Sequence, residues 1–129
     1  MSKSETNPNA EEENEKPYDL EQRTELFAKR VRAFVKLLVR IDANIIDGRQ
    51  IIRSSGSVAS NYIEANEALS KKDFLVRIKI CRKESKESRL WARLLDTSGD
   101  AGLEREGESL VQEAQELMNI FGAILRNSA

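Results

Sequence analysis

The stretch IIRSSGSVASNYIEANEALSKKD (Ile51–Asp73) decides the fold of this chain. Its apolar residues recur at the three- and four-residue intervals of an amphipathic helix, yet serine, alanine and glycine fill many of its positions. Small side chains allow two helices to approach each other closely. We therefore interpret the serines as packing residues rather than nucleophiles, because the chain has no histidine that could act as their base.

Similar apolar periodicity predicts three more helices around this one. Asp19 with Gln22 forms a capping box at the start of helix 1, and Ser70 with Asp73 forms another at the start of helix 3. The predicted helices cover about 19–40, 46–69, 71–97 and 103–126. Since their links are short, residues 18–129 are predicted to form an all-α, antiparallel up-down-up-down four-helix bundle.

The link before helix 2 offers Asp42, Asn44 and Asp47 as N-caps.

Each helix has a stripe of residues expected to face the core. The stripes comprise Leu20, Phe27, Val31, Phe34, Leu38 and Ile41 on helix 1; Ile52, Ser55, Ala59, Tyr62, Asn66 and Leu69 on helix 2, with Ile51, Val58 and Ala65 beside them; Phe74, Ile78, Cys81, Ser85, Ser88, Ala92 and Leu95 on helix 3; and Leu103, Leu110, Ala114, Leu117, Phe121 and Ile124 on helix 4, flanked by Val111, Met118 and Leu125.

Composition excludes several classes of function. A length of 129 residues suits one domain, and no apolar run is long enough to span a bilayer, so a soluble, cytoplasmic protein is expected. Cys81 is the single cysteine and cannot form an internal disulfide. Because histidine is absent, the usual zinc sites and histidine-based triads are unavailable. We expect no metal, no cofactor and no enzymatic activity.

Charge is strongly segregated along the chain, although the net charge is only −1. Residues 1–21 hold 2 basic and 7 acidic side chains, for a net of −5. Residues 22–93 hold 17 basic and 8 acidic side chains, for a net of +9, and residues 94–129 hold 2 and 7, for a net of −5. Residues 1–17 are polar and acidic and are predicted to be a disordered tail. The basic middle favours a polyanionic partner, or an acidic part of the same assembly.

Helices 1 and 3 have one-signed basic faces opposite or beside their core stripes. A merely solvated face usually mixes both signs, although that remains the simpler alternative. We interpret the two faces as a nucleic-acid-binding surface in which the cations contact phosphates. The candidate residues are Lys29, Arg32, Lys36 and Arg40 on helix 1, and Lys79, Arg82, Lys83, Lys86, Arg89 and Arg93 on helix 3.

A further arc of helix 3 is apolar and lies outside the core stripe. It contains Val76, Ile80, Trp91 and Leu94, and we predict that it is an oligomer interface; the alternative is a central helix 3 that buries two faces. Glu84 and Glu87 lie close to this arc. Arg53 of helix 2 is their expected partner in a structural ion pair, and a paired-carboxylate acid–base site is the sharper alternative.

The chain resembles the 23S ribosomal RNA intervening-sequence protein family, bacterial four-helix bundle proteins related in fold to the accessory protein of diversity-generating retroelements. The motifs that carry this resemblance are RSSGSV, NYIEA, SKKDF, ICRKE and ESR. It implies a homopentameric barrel with a basic surface, suspected nucleic-acid binding and no established enzymatic activity. The matching motif positions, which we interpret as a polar packing network, are Arg53, Ser57, Asn61, Tyr62, Glu64, Glu84 and Glu87.

Two hypotheses of function remain open from the sequence. The first is an oligomeric protein that binds nucleic acid, with RNA favoured over DNA, through phosphate contacts. The second is a structural or adaptor protein whose basic helix 3 meets acidic residues such as Glu113 and Glu116 on helix 4 of a neighbour. The expected partners are other copies of the chain, RNA or DNA, and a reverse transcriptase or another protein, with no membrane involved.

Overall fold

A computed structural model describes residues 19–128, which form helices joined by short links. The helices are α1 (Leu20–Leu37), α2 (Asp42–Asn66), α3 (Lys71–Leu94) and α4 (Ala101–Ser128), and the described residues contain no strand. The predicted N-terminal tail, residues 1–17, lies outside this range. The all-α prediction is therefore confirmed for the part of the chain that the structure describes.

The four helices form a ring in chain order. Each helix packs against the next and α4 returns to α1, whereas the backbones of the diagonal pairs, α1 with α3 and α2 with α4, do not approach each other closely within residues 19–128. The diagonal helices α2 and α4 meet in the core through the rings of Tyr62 and Phe121. Neighbouring helices are antiparallel, because early residues of one helix contact late residues of the next. On α2 and α3, for example, Arg53 reaches Glu87 while Asn61 reaches Arg77.

Capping residues set the starts of α1 and α3 as the sequence predicts. The Asp19 side chain accepts a hydrogen bond from the Gln22 backbone N–H, and the Gln22 side chain accepts one from the Asp19 N–H. The Ser70 hydroxyl accepts from the Asp73 N–H. These bonds satisfy amide groups that the first turn of a helix leaves free.

The start of α2 differs from the prediction, because none of the three proposed N-caps acts as one. Its N-cap is Ile41, which offers no side-chain hydrogen bond. Asn44 is instead buried, and its amide donates to the carbonyls of Val39 and Asp96 at 3.0 and 2.9 Å. The Asp96 N–H donates back to Asn44 Oδ1 at 2.8 Å. Asn44 therefore ties the α1–α2 link to the end of α3.

The apolar pattern of the sequence continues past the ends of α1 and α3. The predicted helices therefore extended beyond the ends that the structure shows. Leu38 and Leu95 are buried, with 5% and 7% of their surface exposed, but both have extended backbones. They fill the core from the links. By contrast, Ile41 is 40% exposed and Leu69 is 98% exposed, so neither belongs to the core.

The core face of α2 is turned slightly from the predicted stripe. Its buried residues include Ile51, Ser54 and Val58 together with Ser55, while Asn66 is exposed. Small residues of α2 meet small residues of α3, as the sequence suggests, and the hydroxyls of Ser54 and Ser88 lie 2.7 Å apart. Most of the bulky core side chains come from α1 and α4, including Phe27, Phe34, Leu110, Leu117 and Phe121, while α2 and α3 contribute Ile51 and Ile78.

Over the residues that the structure describes, none of the helices α1 to α4 is both long enough and apolar enough to cross a bilayer.

Candidate nucleic-acid interface

A basic groove runs along the outer edge between α3 and α4. It has a volume of about 570 Å³, and we call it the α3/α4 groove. Its lining consists of Lys79, Arg82, Lys83 and Lys86 from α3, and Met118, Asn119, Gly122 and Arg126 from α4. All five cations are exposed to solvent.

The periodicity of α3 brings these cations together. Lys79 and Lys86 are two helical turns apart, which separates them by about 10 Å along the axis, and the other two cations of α3 lie between them. Gly122 lies between two of these cations, since a Cβ there would lie at contact distance from both, 3.9 Å from Arg82 Cδ and 3.4 Å from Arg126 Nη1. Arg126 was not among the sequence candidates, because it lies on the otherwise acidic fourth helix.

The cations of the α3/α4 groove are largely free of carboxylate partners. Within residues 19–128, no carboxylate lies within ion-pair distance of Lys79, Arg82, Lys86 or Arg126. Lys83 has only a long contact, with its Nζ 4.0 Å from Glu84 Oε2. The groove therefore presents concentrated positive charge to solvent.

Two other basic residues predicted on helix 3 lie beyond the α3/α4 groove. Arg89 is half-buried and donates a hydrogen bond to Gln115. Arg93 lines a separate groove together with Glu104 and Glu108. The α3/α4 groove thus ends near Lys86, and Arg93 shares its own groove with two carboxylates.

The basic residues of α1 lie on another side of the bundle, because α1 and α3 are diagonal helices. Lys29 lies 3.5 Å from Glu25, and Arg32 donates to the Ala28 carbonyl at 3.1 Å. Lys36 and Arg40 are exposed. The predicted single face on helices 1 and 3 is therefore two separate surfaces.

Three of the five glutamates of α4 are paired within the chain, with arginines of α1 that were not among the sequence candidates. Arg23 forms hydrogen bonds with Glu113 at 2.8 Å and with Glu116 at 2.7 Å. Arg30 bonds Glu106 at 3.1 Å. The hydrogen bond that Arg23 donates to Glu113 is the main reason that the pKa of Arg23 is raised.

The local hydrogen bonds also affect Glu116. Its pKa is lowered, first by the amide of Gln112 and then by Arg23. The sequence does hold an indication of the ion pairs between α1 and α4, because Arg23 and Arg30 lie seven residues apart and hence on one face of α1.

A polar network crosses α2 and α3 on the side away from the α3/α4 groove. Arg53 lies 3.4 Å from Glu84 and 3.1 Å from Glu87. The side chain of Glu84 is only 8% exposed and also accepts from Ser57 Oγ at 3.4 Å. Asn61 donates to Ser57 Oγ at 3.0 Å. The predicted Arg53 ion pair is thus present and buries one carboxylate.

The network differs from the predicted set at three positions. Arg77, which was not predicted, donates to Asn61 Oδ1 at 2.9 Å. Tyr62 instead packs its ring against Phe121, with centroids 6.0 Å apart, and burial raises the pKa of its hydroxyl. Glu64 is exposed beside Arg77 in a groove at the end of α2, without a hydrogen bond to the network.

Apolar residues flank this network on the α2/α3 edge. Val76 and Leu94 are 47% and 52% exposed, and Ile80 is half-buried. Trp91 packs against the core, and its buried Nε1 has no acceptor among residues 19–128. The predicted apolar arc is therefore partly open to solvent and includes an unpaired polar atom.

The described residues contain no group of three or more side chains from His, Cys, Asp and Glu that could hold a metal ion.

Comparisons with known proteins agree with this helical architecture. A family model described as 23S rRNA-intervening sequence protein matches residues 18–123. Among solved structures, the chain is similar to a protein with unknown function from the S23 ribosomal protein family of Bacteroides thetaiotaomicron. The two are 27% identical with a TM-score of 0.71, and the match covers 83% of this chain and 98% of the other. No curated protein matches the chain.

Proposed function

The chain belongs to the 23S rRNA-intervening sequence protein family, and from this premise we propose that it binds nucleic acid through phosphate contacts in the α3/α4 groove. One observation carries the proposal: five exposed cations line one groove, and four of them have no carboxylate within ion-pair distance in the described part of the chain. Charge of one sign that its own fold leaves uncompensated attracts a polyanion.

RNA is the favoured ligand, and its backbone is the favoured target. The family takes its name from an intervening sequence of 23S rRNA. The groove has no aromatic lining residue, so it offers no platform on which bases could stack. Lysine and arginine contacts to phosphates position a nucleic acid without reading its sequence. We therefore expect binding that depends strongly on salt and weakly on sequence.

A non-enzymatic role is part of the proposal, because the buried nucleophiles of the core are held in hydrogen bonds or kept protonated. Ser85 donates its hydroxyl proton to the Cys81 carbonyl at 2.8 Å, and Ser54 and Ser88 bond each other. Burial raises the pKa of the Cys81 thiol to about 12. The only buried carboxylate in residues 19–128, Glu84, is engaged by Arg53 and Ser57.

Self-assembly is the second part of the proposal, with five copies as the expected number from the family resemblance. The α2/α3 edge presents the partly exposed Val76 and Leu94. The α1/α4 edge presents Leu37, which is 69% exposed, beside a pocket of about 500 Å³ that Ala33 and Leu103 also line. These edges lie on opposite sides of the ring of helices, so repeated edge-to-edge contacts between copies can close a cycle.

An adaptor that pairs α3 lysines with Glu113 and Glu116 of a neighbour has weaker support. Both glutamates are already bonded to Arg23 of the same chain. A neighbouring lysine would have to displace an arginine that bonds Glu113 through two of its nitrogens. We therefore place assembly on the apolar edges and nucleic-acid binding in the α3/α4 groove.

The test is RNA binding by matched charge reversals. Replacing Lys79, Lys83 and Lys86 by Glu is expected to abolish measurable binding of a labelled RNA duplex at about 0.1 M salt, with helicity and mass unchanged. The control reverses Lys29, Lys36 and Arg40, which removes the same charge from the α1 surface. Removal of each phosphate-binding cation should lower the slope of log affinity against log salt by roughly 0.9. Equal weakening in both variants, or in neither, would refute the assignment to this groove.

A further inference from the structure

The acidic N-terminal segment and the α3/α4 groove carry complementary charge. We propose that residues Glu11–Glu15 of the chain occupy this groove when no nucleic acid is bound. Nucleic acid then has to displace the segment in order to bind. This displacement rests on the proposed function, whereas docking of the segment can be measured with the protein alone.

The charge density of the segment matches that of the groove. EEENE at residues 11–15 places four carboxylates within five residues. The groove holds five cations, with Lys79 and Lys86 about 10 Å apart along α3. The acidic residues of α4 do not compete for these cations, because Glu106, Glu113 and Glu116 face arginines of α1. The segment is thus the densest acidic cluster of the sequence.

The start of α1 lies at the level of the groove. Arg23, in the first turn of α1, bonds Glu116 of α4. Asn119 lies one turn further along α4 and lines the groove. Since α1 and α4 are antiparallel, the chain preceding Leu20 leaves α1 beside this part of α4. The groove lies on the other flank of the same helix.

The connecting length is sufficient to cross α4. Glu15 precedes Asp19 by four residues and Glu11 precedes it by eight. At about 3.3 Å per residue, an extended chain of these lengths reaches about 13 and 26 Å. A helix with its side chains is about 10–12 Å across. Half of the circumference of such a helix is about 16–19 Å, so Glu11, Glu12 and Glu13 can reach the groove around α4 without any change in α1 to α4.

Other cations are poorer targets for the segment. Lys71 and Lys72 form only a pair at the start of α3. Lys29 is ten residues beyond Asp19, about 15 Å along α1, and already lies near Glu25. Long-range attraction to such sites is screened over about 10 Å at 0.1 M salt. A contact within the α3/α4 groove is favoured because five cations act together there.

Carbodiimide crosslinking of the full chain tests the docking directly, since it joins carboxylates to lysine amines that touch. The expected crosslinks join Glu11, Glu12, Glu13 or Glu15 to Lys79, Lys83 or Lys86, and they decrease at least about fivefold between 0.05 and 0.5 M salt. Replacing Arg82 and Arg126 by Gln should also reduce them, although every lysine remains. Crosslinks confined to Lys71 and Lys72, or to the α1 lysines, would overturn the proposal. In a mixture of isotopically heavy and light chains, crosslinks only between different chains would also overturn it.

RNA binding tests the competition. Replacing Glu12 and Glu13 by Gln is expected to raise the affinity for an RNA duplex about three- to tenfold at 0.05 M salt, because the groove is free for a larger fraction of the time. The control, Glu64 and Glu67 to Gln, makes the same charge change on α2 and should alter affinity less than twofold. Equal effects would overturn the competition. If no variant binds RNA but the crosslinks form as expected, the proposed function fails while the docking stands.

Discussion

At the scale of single residues, the charge of Glu84 is tolerated because Arg53 reaches it from α2. The carboxylate is 8% exposed, whereas the arginine is 49% exposed. Removing the arginine leaves a mostly buried charge with Ser57 and a distant Lys83 as its partners. Arg53→Ala should therefore lower the free energy of unfolding by about 2 kcal/mol, measured by urea denaturation.

The matched control is the exposed ion pair on α1. Lys29 and Glu25 lie 3.5 Å apart with 71% and 66% of their side chains exposed, so Lys29→Ala should change stability by less than about 0.5 kcal/mol. Adding Glu84→Gln to Arg53→Ala should recover part of the loss, because the buried charge is then absent. Equal losses in the two single variants would contradict this account of Glu84.

The thiol of Cys81 predicts a pH dependence of stability. Burial raises its pKa from 9.0 to about 12 in the folded chain. Below pH 9.0 both states keep the proton, whereas between 9.0 and about 12 only the unfolded chain releases it. The free energy of unfolding should therefore fall as pH rises through this window, by up to about 1.4 kcal/mol per pH unit from this group.

Cys81→Ala isolates the contribution of the thiol from those of other alkaline groups. The stability difference between wild type and variant should shrink as the pH rises from about 8 to about 10.5, in urea denaturation series. A difference independent of pH would show that the thiol ionises equally in both states.

Contacts between individual side chains were predictable from the sequence only where the patterns of two helices indicated the same contact. Glu84 and Glu87 lie beside the helix 3 arc, Arg53 of helix 2 was expected to pair with them, and the structure joins the three side chains. Arg77 and Asn44 were missed as partners. Their contacts depend on the register between helices and on a link, and apolar periodicity specifies neither of them.

At the scale of helices, small residues set the distance between α2 and α3. Ser54 and Ser88 are fully buried and their hydroxyls lie 2.7 Å apart. Ser88→Leu should lower the free energy of unfolding by about 3 kcal/mol, because the added atoms have no room. Ser88→Ala should cost only about 1 kcal/mol, since the Ser54 hydroxyl can still donate to the Ile51 carbonyl at 3.4 Å.

An exposed serine of the same helix pair provides the control. Ser60 lies on the outer face of α2, and Ser60→Leu should change stability by less than about 0.5 kcal/mol in the same urea assay. A destabilisation by Ser88→Leu no greater than that by Ser88→Ala would mean that the helices can separate at little cost.

Helix faces were predictable where large residues form the stripe. The predicted stripes of α3 and α4 include Ile78, Cys81, Leu110 and Leu117, and all four are fully buried. On α2 the small residues made neighbouring stripes equally plausible, and the buried face lies between them. Helix ends were less predictable, because Leu38 and Leu95 extend the apolar pattern into the links.

At the scale of the whole molecule, the ring order of the helices places the proposed binding and assembly surfaces on different sides of the bundle. The basic residues of α1 and those of the α3/α4 groove lie apart because α1 and α3 are diagonal. Periodicity located both basic faces correctly on their own helices, but it does not show which helices are neighbours. Glu106, Glu113 and Glu116 of α4 pair with α1, and this pairing leaves the groove between α3 and α4 basic.

The proposed assembly depends on the α2/α3 edge, where Val76 is 47% exposed beside the half-buried Ile80. We expect light scattering at micromolar concentration to give a mass about five times the chain mass of 14.6 kDa. Val76→Glu should shift the protein to smaller species, because a carboxylate buried between copies would lack a partner. The matched control is Ile63→Glu, which makes the same kind of change at a residue 49% exposed on α2. It should leave the mass unchanged, since Ile63 belongs to neither apolar edge. A monomeric wild type, or equal dissociation of both variants, would rule out the α2/α3 edge as the interface.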